Sequence, residues 1–264
     1  MNEHLLKQPL RLWWLTALLI AVNVLLFGYQ VLSGVSPMDP SVASLIYWGA
    51  DFAPLTLTTE KWRLVSSMFL HIGIVHLLVN MWALYLFGVY AEFYYARGWY
   101  LALYALAGIA GNLASNYISL QHALAFLQQP SADLVPSVGA GASGGIMGLG
   151  GALLVAALWP KQSMALKYRL NKNALIMLML LNLGFGLFVS GINNAAHLGG
   201  FLAGVLLALG YRVSLLLPSA VKYSLQLLIL IGSCGLVIYL DQWLMYQAQQ
   251  VMSFWSMYLD AKMA

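Results

Sequence analysis

Charged residues are scarce in this sequence, and cysteine is nearly absent. Asp, Glu, Lys and Arg together make up 8% of the 264 residues, against roughly 25% in an ordinary soluble domain. This scarcity excludes a sizeable soluble domain. The single cysteine, Cys234, excludes an intramolecular disulfide. Hydrophobic residues make up 62% of the chain, which predicts a multispanning membrane protein.

Six uncharged stretches are candidates for membrane-spanning helices, each of which needs about 20 apolar residues. The stretch between Lys172 and Arg212 is too long for one crossing, and turn residues at 190–194 divide it in two. The sequence therefore predicts an all-α polytopic membrane protein. Its predicted spans are residues 12–32, 72–91, 99–120, 143–159, 173–189, 195–211 and 223–240.

The distribution of Lys and Arg predicts the topology. With the N-terminus in the cytoplasm, only Lys61, Arg63 and Lys262 fall on the outer side. This bias satisfies the positive-inside rule. It also accounts for the net charge of +4, so the lipid bilayer is the expected partner and nucleic acid is not. The inner basic residues are Lys7, Arg11, Arg97, Lys161, Lys167, Arg169, Lys172, Arg212 and Lys222.

Four residues within the predicted spans are candidate functional groups, because ionisable or strongly polar side chains at membrane depth are commonly functional. His76 and Asn80 share one face of the second span. Ser143 opens the fourth span, and His197 lies in the sixth. At ~1.5 Å per residue, Ser143, His197 and Asn80 lie roughly 27, 22 and 25 Å from the inner basic residues. Three spans thus place a polar group at one level near the outer surface, although each group alone would more often serve helix packing.

Together, the four groups suit acyl transfer. A serine hydroxyl becomes a nucleophile when a base takes its proton, and His197 is the candidate base. No Asp or Glu lies within any predicted span, so the sequence predicts a Ser143–His197 dyad rather than a triad. Asn80, His76 and the backbone N–H of Ser143 would then stabilise the oxyanion of a tetrahedral intermediate.

Glycines surround the candidate nucleophile. Gly141 lets the chain turn sharply into the fourth span and approach a substrate closely. Gly144 and Gly148 share one face of that span, as Gly200 and Gly204 do on the sixth. Such small-residue faces let two helices approach closely, which would bring the serine hydroxyl within reach of the candidate base.

These motifs resemble those of the rhomboid family of intramembrane serine proteases. The sequence Gly141-Ala142-Ser143-Gly144 resembles the GxSG nucleophile motif. Residues 196–200, with Gly204, resemble the AHxxG motif of the base, and residues 76–80 resemble HxxxN. Further matches are His71, the pair Trp62-Arg63, Glu92 and Arg97-Gly98.

The resemblance implies a fold, an activity and a location. The fold would be a six-helix catalytic core over residues 1–215, followed by a seventh transmembrane helix and tail over 216–264, as in a bacterial 6+1 subgroup. The activity would be cleavage of single-span membrane proteins near the outer end of their helix, without metal or cofactor. The location would be the bacterial inner membrane, with the site open to the periplasm. One departure is Met147, where several family members carry an aromatic residue that stacks on the base.

The resemblance also implies a route for substrates. The long first loop, residues 33–68, resembles the family's interfacial loop, and its aromatic residues suit that depth. Gly184 and Gly186 interrupt the fifth span. We therefore expect this span to be the mobile side, with Phe185 and Phe188 as the substrate gate. The alternative is ordinary packing of a glycine-containing helix.

Two other functions remain compatible with the sequence. A catalytically inactive member of the family would bind transmembrane clients as a scaffold. A transporter or proton relay would use His76, Asn80 and His197. A relay needs polar groups strung across the membrane, however, and the inner half has almost none.

Overall fold

Seven long helices dominate the computed structural model. The structure describes residues 9–160, 170–188 and 193–263. For residues 185–188 and 260–263 it describes the backbone alone. Five of the described helices are long and apolar enough to cross a membrane, and α4 and α5 are shorter apolar helices. The chain is therefore an all-α polytopic membrane protein, as predicted. The helices are α1 (Trp14–Leu32), α2 (Ile74–Tyr94), α3 (Arg97–Gln128), α4 (Ser143–Leu158), α5 (Lys172–Phe188), α6 (Asn194–Ser214) and α7 (Ser219–Ala248).

Three helices differ from the predicted spans. Helix α3 continues to Gln128, and α7 extends beyond residues 223–240 at both ends. The loss of apolar character marks where a helix leaves the membrane, not where the helix stops. The predicted interruption of the fifth span by Gly184 and Gly186 is wrong, because α5 is continuous to Phe188. Glycine is tolerated in a membrane helix, whose backbone groups must stay paired internally.

Helices α3, α4 and α6 form the tightly packed centre of the molecule. Every residue of α4 from Gly144 to Leu153 is buried. A Cβ atom on Gly200 would overlap the carbonyl oxygen of Gly144, and one on Gly204 would overlap that of Gly148. The predicted close approach of the fourth and sixth helices is thus confirmed, and it requires residues without side chains.

The first loop contains short helices at Val42–Tyr47, Ala53–Thr56 and Arg63–Ser66. A two-residue strand in it, β1 (Asp51–Phe52), pairs antiparallel with β2 (Val138–Gly139). A C-terminal helix, α8 (Met252–Met263), follows α7 and returns to this loop. Its buried residues Phe254 and Trp255 belong to one apolar cluster with residues of the first loop and α3. The loop is therefore enclosed on two sides.

Glu92 anchors the opposite end of the bundle. Its carboxylate accepts hydrogen bonds from the backbone N–H groups of Leu15 (3.2 Å) and Thr16 (2.9 Å). It also accepts one from the Thr16 hydroxyl (2.8 Å). The first N–H groups of a helix lack intrahelical acceptors, and a negative charge there also interacts favourably with the positive end of the helix dipole. Glu92 thus caps α1 and joins it to α2.

Candidate active site

Ser143 is the first residue of the central helix α4, and its side chain is half-buried. The preceding Gly141 has φ of +136°, a left-handed conformation that favours glycine. Its N–H donates to the Ser67 carbonyl at 2.9 Å. This turn places the hydroxyl where the helix has free N–H groups and the positive end of its dipole. Such an environment favours a negatively charged group beside Ser143.

His76 lies in the first turn of α2 and faces the same turn. The Ile72 N–H donates to His76 Nδ1 at 3.3 Å, so the neutral imidazole carries its proton on Nε2. A Cβ atom on Gly141 would lie 3.1 Å from His76 Nε2 and 3.7 Å from Ser143 Oγ. The N–H donor and the hydroxyl thus border one position, which stays open because residue 141 has no side chain.

His71 supports the His76 ring from the first loop. The ring centroids lie 5.2 Å apart in an edge-to-face arrangement. Both nitrogens of His71 are buried, and neither has a hydrogen-bond partner among the described residues. Burial, and secondarily the proximity of His76, lower the pKa of His71 to about 3. His71 is therefore neutral near pH 7 and contacts His76 as an uncharged ring. The sequence matched His71 to a family position but gave no sign of this contact.

Asn80 lies one turn beyond His76 on α2 and is buried. Its Nδ2 donates to the backbone carbonyl of His76 at 2.9 Å. An amide nitrogen has two N–H groups, so the second remains for another acceptor. Two potential oxyanion donors thus project from the same helix.

His197 lies in the first turn of α6 and is 8% exposed. The backbone N–H of His197 donates to the Asn193 carbonyl (3.1 Å). The Asn193 side chain caps the helix by accepting from the backbone N–H of Ala196 (3.0 Å). A Cβ atom on Gly144 would lie 3.6 Å from the Ala196 carbonyl oxygen, and one on Gly200 would overlap the Gly144 carbonyl, so the residues on either side of His197 lie against Gly144. The turn that carries the candidate base His197 is therefore level with the start of α4.

No hydrogen bond joins Ser143 and His197 in the described part of the chain, and His197 Nδ1 is buried without a partner. Catalytic hydrogen bonds are often long without substrate and tighten in the reacting complex. Met147 occupies the position at which several family members carry an aromatic residue. Its side chain is buried in the central apolar cluster.

Trp62 and Arg63 hold the first loop rather than line residues 139–143, the candidate nucleophile turn. Arg63 Nη1 donates to the carbonyls of Ile46 (2.7 Å) and Ala50 (3.0 Å). Its Nε donates to Glu60 at 2.8 Å. The guanidinium also lies over the Trp62 ring, 4.8 Å from its centroid. This pair fixes the segment that leads into β1.

The predicted gate residues Phe185 and Phe188 lie on the helical backbone of α5. Their side chains fall outside the described residues, so the gate stays a prediction. Among the described residues, no group of three His, Cys, Asp or Glu side chains could hold a metal ion.

Comparison with known proteins shows which family has similar sequences. A family model described as a rhomboid domain matches residues 58–214. Rhomboid protease GluP of Bacillus subtilis (strain 168) is 35% identical over 213 residues, which are 81% of this chain and 37% of that protein. Rhomboid protease AarA of Providencia stuartii is 34% identical over 207 residues, 75% of this chain and 72% of that protein. The chain thus spans little more than a third of the first relative and most of the second.

Proposed function

The chain belongs to the rhomboid family, and from this premise we propose that it is an intramembrane serine endopeptidase. The observation that carries the proposal is the meeting of Ser143, at the start of α4, with His76 Nε2 across the bare turn at Gly141. The contact of the His197 turn with Gly144 adds a base at the same level. The names of the relatives as rhomboid proteases agree with this chemistry.

In the proposed reaction, His197 takes the proton of Ser143 Oγ as the oxygen attacks the substrate carbonyl. The tetrahedral oxyanion accepts hydrogen bonds from the Ser143 N–H, His76 Nε2 and Asn80 Nδ2. His197 then gives its proton to the leaving amine, and water hydrolyses the acyl-enzyme by the reverse steps. The protein supplies each of these groups without a cofactor.

The proposed substrates are single-span membrane proteins held in the same bilayer. Helix α4 has 16 residues and is about 24 Å long, shorter than a hydrocarbon core of ~30 Å. If its far end lies at the cytoplasmic boundary, Ser143 lies several ångströms below the outer one. A helical peptide bond is shielded by its own turn, so helix-breaking residues near the outer end of a substrate should favour cleavage. Fragment masses from a reporter library locate the bond, and cuts at the cytoplasmic end would contradict the proposed topology.

Reaction of the detergent-purified chain with a fluorescent fluorophosphonate tests the proposal. We expect labelling of the wild type and none of Ser143→Ala, together with cleavage of a tagged single-span reporter by the wild type alone. Labelling that survives Ser143→Ala would refute the assignment of the nucleophile. A wild type that neither labels nor cleaves would favour a scaffold or a transporter.

A further inference from the structure

Asp51 is a buried carboxylate in the first loop that the proposed chemistry does not use. It is 2% exposed and pairs through β1 with Gly139 of β2. The chain leads from Gly139 through the turn at Gly141 directly into Ser143. The backbone of Asp51 therefore holds the segment that presents the nucleophile.

Adjacent residues of α3 connect Asp51 to the start of the base-bearing helix. Asn116 Nδ2 donates to Asp51 Oδ1 at 3.1 Å. The neighbouring Ser115 accepts a hydrogen bond at 2.5 Å from Asn193 Nδ2. Asn193 caps α6, and its carbonyl accepts from the His197 N–H. One turn of α3 thus ties the first loop to the turn that carries the base.

Asp51 and Asn193 also face each other across Gly139. A Cβ atom on this glycine would lie 3.7 Å from Asp51 Oδ2 and 3.7 Å from Asn193 Nδ2. A larger side chain there would stand between the carboxylate and the amide. The nucleophile turn, the base helix and the first loop therefore meet at this point.

The hydrogen bonds around Asp51 suit its ionised form. Thr56 Oγ1 accepts from the Phe52 N–H (3.1 Å), so its own hydrogen points to Asp51 Oδ1 (2.7 Å). Asn116 is a second donor to the same oxygen. A protonated acid would instead need an acceptor for its hydrogen. Two donors aimed at one carboxylate oxygen favour the acceptor-only state.

Among the described residues, no cation forms a direct ion pair with Asp51. The cation that acts on it is Arg63, whose guanidinium is already bonded to Glu60 and to backbone carbonyls. The residues that face Asp51 from β2, α3 and α6 (Gly139, Asn116 and Asn193) are uncharged. Burial raises the pKa of Asp51 to about 7, although Thr56, Asn116 and Arg63 each lower it.

We propose that Asp51 is a positioning residue for the Ser143–His197 dyad, and that its ionised form holds the nucleophile turn and the base-bearing helix together. This inference rests on the proposed function. Perturbed carboxyl groups of this kind concentrate at functional sites. Cleavage should then rise as Asp51 loses its proton around neutral pH.

Stability should change in the opposite direction. The folded pKa is raised above the unfolded value of 3.8, so between these two pH values the folded chain binds more protons at Asp51 than the unfolded chain does. Its contribution to stability is therefore present at low pH and is lost as the pH rises towards 7. Activity and stability thus respond to the same proton with opposite signs.

The experiment compares Asp51→Asn with Asp39→Asn, which removes an exposed carboxylate from the same loop. Reporter cleavage, the rate of fluorophosphonate labelling and thermal unfolding are measured across neutral pH. We expect the wild type and Asp39→Asn to gain kcat through a limb near pH 7 that Asp51→Asn lacks, with little change in KM. Asn116→Ala should shift this limb to higher pH, because it removes a hydrogen bond that favours the carboxylate.

An Asp51→Asn variant with the wild-type pH profile would overturn the inference. A loss of activity by the same factor at every pH, accompanied by lower stability, would also overturn it, because that is the result of a purely structural role. A wild type that is not labelled would refute the proposed function itself. The two failures are therefore distinguishable.

Discussion

Two clusters of buried polar groups lie at opposite ends of α2, and they differ in how their hydrogen bonds are satisfied. At one end, both oxygens of Glu92 accept bonds from the start of α1. At the other, both nitrogens of His71 and Nδ1 of His197 are buried, and none of the three has a hydrogen-bond partner in the part of the chain that the structure describes. Leaving such a group unpaired costs about 1–3 kcal/mol. The first cluster stabilises the fold, and the second retains unpaired groups at a cost in stability.

This difference separates motifs that look alike in sequence. Glu92 and the His76–Asn80 pair lie on the same helix and both match family patterns. The contacts of Glu92 are with the start of α1 and indicate a structural role. His76 Nε2, in contrast, lies beside the turn at Gly141. Substitutions in the two clusters should therefore have opposite signatures, one in stability and the other in catalysis.

The largest expected effect is on the dyad. Ser143→Ala and His197→Ala should each lower kcat by about six orders of magnitude, as loss of either member of a serine–histidine pair does. The unfolding temperature should change little, because neither side chain forms a hydrogen bond among the described residues. Reporter cleavage and thermal unfolding in micelles are measured together. Substantial cleavage by Ser143→Ala would end the assignment.

The oxyanion donors give the next largest effect. His76→Ala and Asn80→Ala should each lower kcat by about 10²–10³, the usual result of losing one such donor. Activity is reduced rather than abolished, because the Ser143 N–H remains. Steady-state cleavage measures the effect, and unchanged unfolding temperatures provide the control. If both single variants turned over like the wild type, the oxyanion would be held by other groups.

Gly200→Val tests whether the site also depends on packing. The added Cβ would overlap the Gly144 carbonyl oxygen, so α4 and α6 must separate, at a cost of about 3 kcal/mol. Stability and activity should fall together. Gly232→Val on α7 is the matched control, since a Cβ there meets nothing within 4 Å. Equal stability and equal activity of the two variants would show that neither property depends on the close contact between α4 and α6.

Local sequence features were sufficient to predict the helices, whereas the shared depth of the polar groups stays a prediction. Uncharged stretches identified the spans because burial in lipid constrains each span by itself. Ser143, His76, Asn80 and His197 were singled out because polar groups are rare at the depth that the sequence predicts for them, and their catalytic roles stay predictions. These predictions needed no knowledge of which helices are neighbours.

Other long-range contacts were not predictable in this way, although the glycines on one face of the fourth and sixth spans did predict that those two helices approach each other closely. Asp51 counted only as an outer acid in the sequence, yet it is buried by partners from α3 and by β2. The return of α8 to the first loop through Trp255 had no periodic signal either. Such pairings depend on the arrangement of distant segments, which charge and hydropathy do not encode.

The smallest expected effect is also the sharpest check on the comparison between the two clusters. Glu92→Gln keeps the shape of the side chain but replaces an acceptor oxygen with a donor that faces the N–H groups of Leu15 and Thr16. Hydrogen bonds to a charged group contribute roughly 1.5–3 kcal/mol, so we expect a loss of about 2 kcal/mol in unfolding free energy. Asp39→Asn, at an exposed position, should leave stability unchanged. The kcat of folded Glu92→Gln should equal that of the wild type, because the substitution lies at the far end of α2 from His76. A variant of normal stability with reduced kcat would place Glu92 in the catalytic cluster and remove the distinction between the two ends of the bundle.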